Sequence, residues 1–151
     1  MIRKLVAIID SAFSEQAESE EEREHALRVA TALLLVEVAR ADYADAPVEE
    51  RTILAKLERF FALGKEEARL LLEESRRAAD HAAELQQFTR RLHERLSVGE
   101  KERVVEMLWQ VAYADGELDK HEDHLVRKIA GLLYVPHSRI IRLRNQVRGD
   151  G

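Results

Sequence analysis

The sequence predicts an all-α fold, a single compact helical bundle of about seven or eight helices with two pseudo-repeated helix-loop-helix units. Three observations predict it. Charged residues make up 35% of the 151-residue chain and aromatics 5%, and the abundance of Ala, Leu, Glu and Arg suits helices and leaves little for a sheet. Apolar residues recur at spacings of three and four along most of the length, the mark of amphipathic helices. The pattern of the first half returns in the second.

The elements follow in order. Met1 to Phe13 holds Leu5-Val6-Ala7-Ile8-Ile9, which Asp10 ends well short of a signal-peptide core or a membrane span. Residues 1–14 therefore read as an amphipathic helix for packing, without stable membrane insertion. Residues 15–25 form an acidic linker or a solvated helix start, since Glu15, Glu18, Glu20, Glu21, Glu22 and Glu24 face only Arg23 and have nothing to bury. The domain proper is expected over 26–148.

From Ala26, residues Leu27, Ala30, Leu33, Leu34, Glu37, Val38 and Ala41 share one helical face, and this helix should end near Asp42. Pro47 suits the first turn of the next, which carries Ile53, Leu54, Leu57, Phe60 and Phe61 up to a Gly64 cap. A third runs from about Lys65 toward Ala79. After a break near Asp80 to Glu84, Leu85, Phe88, Leu92 and Leu96 line another. Ser97 and Glu100 have the spacing of a capping box, in which each residue bonds the other's backbone. The helix they open carries Val104, Val105, Leu108, Val111 and Ala112 and stops at Asp115-Gly116. Asp119 and Glu122 repeat the capping spacing before Leu125, Val126, Ile129, Leu132 and Leu133. Pro136 introduces the last helix, with Ile140, Ile141, Leu143 and Val147, and Gly149-Asp150-Gly151 should be frayed.

Function classes narrow by exclusion. The net charge of -5 argues against a generic nucleic-acid binder. With no cysteine, a disulfide framework, a thiolate zinc site, an iron–sulfur cluster and a cysteine nucleophile are all ruled out, and a cytoplasmic home is natural. The serines lack a nucleophile-elbow context and no glycine-rich phosphate loop occurs, so a non-enzymatic role is expected. His121 and His124 stand three apart, not at the spacing of a zinc-protease helix, and Glu22 and His25 form a Glu-x-x-His in a solvated run. His81, His93 and His137 read as surface or packing residues. Trp109 and Tyr113 read as core, with a partner-facing ridge as the alternative.

In the internal repeat, Val38-Ala39-Arg40-Ala41-Asp42 matches Val111-Ala112-Tyr113-Ala114-Asp115. After a one-residue slip, Ile53, Leu54, Leu57, Phe60 and Phe61 match Leu125, Val126, Ile129, Leu132 and Leu133, Gly64 matches Pro136 and Leu71 matches Leu143. Each unit is helix, acidic loop, helix, turn, helix, whose apolar faces need a second copy to cover them. The second loop, Ala114-Asp115-Gly116-Glu117-Leu118-Asp119-Lys120-His121-Glu122, carries an A-D-G-x-x-D/E-x-x-E pattern. In this the chain, over roughly Ala26 to Val147, resembles the tellurite-resistance TerB-like family. That resemblance implies an all-α bundle, a role in metal-ion binding or stress response, and kinship with the helical domain preceding some J-domain co-chaperones. No J-domain signature is present. The first loop, Asp42-Tyr43-Ala44-Asp45-Ala46-Pro47-Val48-Glu49, departs from the pattern in lacking its glycine, which makes the second the stronger candidate.

A carboxylate at a helix carboxyl end meets the negative pole of the macrodipole, so Asp42 and Asp115 each need an answering positive or hydrogen-donating group. One answer is a hard cation, calcium or magnesium, held by oxygens of Asp115, Glu117, Asp119 and Glu122, with Asp42, Asp45 and Glu49 from the other loop. The spacing is not that of an EF-hand. The other answer is capping alone, with Asp115 accepting amides, Asp119 and Glu122 forming a box and Gly116 turning the chain. The protein is thus expected to be a non-catalytic binding module for a divalent cation, or a structural module holding another protein, with a homodimer compatible with either. From His124 to Gly149 no acid occurs while six basic residues do, an end toward which the acidic Glu15–Glu24 run or an anionic partner would be steered.

Overall fold

The computed structural model describes residues 19–42, 81–114 and 120–149, and all of the regular structure within them is helical. There are five helices among the described residues: α1 (Glu20–Asp42), α2 (His81–Arg95), α3 (Val98–Ala112), α4 (Lys120–Leu132) and α5 (His137–Arg148). The helices expected over residues 1–13, 47–61 and 65–79 lie outside the described residues. The chain divides into two compact units, Met1–Phe88 and Thr89–Gly151, with the division falling inside α2.

In the first unit, α1 begins at Glu20, six residues before its apolar pattern. Of the two readings of the acidic run, Glu20 to Glu24 follow the solvated helix start. The Ser19 hydroxyl accepts the Glu22 amide at 3.1 Å, and Glu20, Glu21 and Glu22 sit in the first turn, where the dipole favours anions. Those two effects outweigh the mutual repulsion that argues for a linker. Glu24 reaches Arg28 one turn later. From Ala26 to Leu35 every side chain except the half-buried Arg28 is buried. The sequence predicts a single buried face; the structure also covers Val29, Thr31, Ala32 and Leu35, so the middle of α1 is a fully interior helix. Thr31 is tolerated there because its hydroxyl donates to the Leu27 carbonyl at 2.6 Å.

In the second unit, α3 is the axis, packed against both α4 and α5, which also touch each other. Ser97 caps α3 as its spacing predicts. Its hydroxyl accepts the Glu100 amide at 3.1 Å, and the Glu100 carboxylate accepts the Ser97 amide at 3.0 Å. Val104, Val105, Met107, Leu108, Trp109, Val111 and Ala112 are buried, wider than one stripe because α3 has neighbours on two sides. Trp109 is wholly buried, and its indole N–H donates to the Ile140 carbonyl of α5 at 3.0 Å, which settles the indole as core. From α2, Leu92 and Leu96 are buried, as is Phe88 on the first unit's side.

The turn from α4 to α5 is a Schellman motif. Val135 donates to Ala130 at 3.0 Å and Tyr134 to Gly131 at 3.0 Å, with Tyr134 in the left-handed position at φ 59°. Pro136 then occupies the N-cap of α5 at φ −60°. Gly149 is not frayed: at φ 84° it closes α5, its N–H reaching the Asn145 and Gln146 carbonyls. A left-handed glycine satisfies carbonyls that would otherwise point into empty solvent. Asp150 and Gly151 lie outside the described residues. No helix among the described residues is long and apolar enough to cross a membrane.

Candidate cation site at the start of the fourth helix

Two of the seven acidic candidates fall where the structure describes them. Asp42 is the last residue of α1, and Glu122 is the third residue of α4. Asp45, Glu49, Asp115, Glu117 and Asp119 lie outside the described residues, as does the Asp42 side chain. Among the described residues no group of three or more His, Asp or Glu side chains is placed to hold a metal ion.

Glu122 itself carries information that its sequence position did not. It is 8% exposed, the sole charged side chain buried among the described residues. Burying a carboxylate is costly unless hydrogen bonds or a positive charge compensate. The backbone supplies part of that compensation, because Glu122 and Asp123 both sit in the first turn of α4, at the positive end of its dipole. The helix begins at Lys120, the start that the Asp119–Glu122 capping spacing predicts.

Asp123 is the residue that sequence reasoning missed. Its Oδ2 accepts from Arg127 Nε at 3.0 Å, one turn on, while its Oδ1 is buried without a hydrogen-bond donor among the described residues. Paired with Arg127 at helical spacing, it reads in sequence as an ordinary surface ion pair. Only the packing, which leaves both partners about two-thirds covered, shows an oxygen turned inward. The start of α4 therefore presents two adjacent, largely buried carboxylates immediately after the acidic loop, and hard oxygens of this kind are what calcium and magnesium take as ligands.

The other polar grouping lies at the far end of α4. Tyr134, 73% exposed, rests its ring on His93 at a centroid distance of 4.5 Å, and the Lys101 ammonium donates to His93 Nδ1. His93 is thus a packing residue, as its isolation in the sequence suggests. This grouping ties α2, α3 and the α4–α5 turn together and offers no carboxylate.

Comparison with known proteins adds one match. The family model described as tellurite resistance protein TerB matches residues 28–145, from the third turn of α1 to the last turn of α5. No curated protein and no solved structure gives a significant match.

Proposed function

The chain belongs to the tellurite resistance TerB family, and from that premise we propose that it is a non-catalytic helical module that binds a divalent cation, calcium or magnesium, through its second acidic loop. The observation that carries this reading is Glu122. The single charged side chain buried among the described residues occupies the final acidic position of the loop pattern. Asp115, Glu117 and Asp119 precede it by no more than seven positions, close enough for one short loop to gather their oxygens around an ion. The buried Oδ1 of Asp123 is a further candidate ligand.

The same reading extends to the fold and setting. The chain has about seven or eight helices with two pseudo-repeated units, a proposal supported by the succession of α3, α4 and α5 in the second half. Val38 and Val111, which correspond in the repeat, are both buried near the ends of their helices. Asp42, Asp45 and Glu49 of the first loop belong to the proposed ligand set. The absence of cysteine fits a cytoplasmic setting, and the lack of nucleophile or phosphate-loop motifs fits a protein that does no chemistry.

A second reading has its own support. Three of the described helices carry acids in their first turn: Glu100 of α3, in a complete capping box, Glu20 to Glu22 of α1, and Glu122 and Asp123 of α4. On that reading the loops are caps only and the module holds another protein, or a second copy of itself. Thermal unfolding of metal-stripped protein separates the two. A midpoint that rises with calcium or magnesium concentration in the parent and not in an Asp115→Asn, Asp119→Asn variant supports the cation; an unchanged midpoint with both ions leaves the caps alone.

A further inference from the structure

No further inference is drawn: the strongest candidate, the surface patch in which Tyr134 of the α4–α5 turn, 73% exposed, rests on His93 of α2 beside Lys101 of α3, carries nothing, because nothing among the described residues shows what covers it.

Discussion

Trp109 shows how a single side chain sets the geometry of the second unit. Its ring is wholly buried in α3 and its one polar atom is satisfied by the Ile140 carbonyl, so it fixes both the distance and the rotation of α5. Trp109→Phe removes the hydrogen bond and leaves a smaller ring, and should cost about 1–3 kcal/mol in urea unfolding with no change in the slope. Gly149 has the opposite character. A Cβ added there meets nothing within 4 Å, yet its φ is 84°, so Gly149→Ala should lose about 1 kcal/mol purely as backbone strain. An unchanged midpoint for that variant would mean that the αL cap does not form in solution. Tyr134 adopts a similar conformation without being glycine, and its ring contact with His93 is a compensation that glycine could not supply.

At the scale of the element, the helix starts are the best-determined features of the chain. Ser97 and Glu100 form both bonds of the box that their spacing predicts, and Ser97→Ala is expected to destabilise the protein by about 1 kcal/mol in thermal or chemical unfolding. The same spacing occurs at Ser19 and Glu22, where the Glu22 amide donates to the Ser19 hydroxyl and opens α1. There the surrounding glutamates leave a linker and a solvated helix start both open in the sequence, because repulsion is visible in composition while a dipole is visible only once the helix axis is known. Helix ends are less legible. Apolar periodicity carries α3 past Ala112 toward Asp115-Gly116, whereas α3 ends at Ala112 with Tyr113 as its cap, for no residue in that stretch forbids another helical turn.

At the scale of the whole molecule, charge and cation binding meet. An ion that binds only the native state stabilises by RT ln(1 + [L]/Kd), about 2.7 kcal/mol at a hundredfold excess over Kd. For a domain of this size that corresponds to a midpoint shift of roughly 5–10 °C, large enough to separate from a nonspecific salt effect. On the cation reading, the shift is expected to saturate with ion concentration and to disappear in the Asp115→Asn, Asp119→Asn variant. Screening of the net charge of -5 instead follows ionic strength, whichever ion supplies it.

The sequence by itself determined the helical class, the family, the Ser97 capping box and the main buried positions of the second half, Val104, Val105, Leu108, Val111, Leu125, Val126, Ile129, Leu133, Ile140 and Leu143, although Leu132, Ile141 and Val147, expected beside them, are only half-buried. These follow from short-range spacing, because a helix repeats every 3.6 residues and its caps lie within one turn. Only the tertiary structure decided that the middle of α1, from Ala26 to Leu35, is interior apart from the half-buried Arg28, that Glu122 is a buried carboxylate, that Asp123 turns one oxygen inward and that Arg144 holds a donor without an acceptor among the described residues. Burial and hydrogen-bond satisfaction depend on what neighbouring elements cover, and elements distant in sequence leave no mark on the local pattern of the residues they bury.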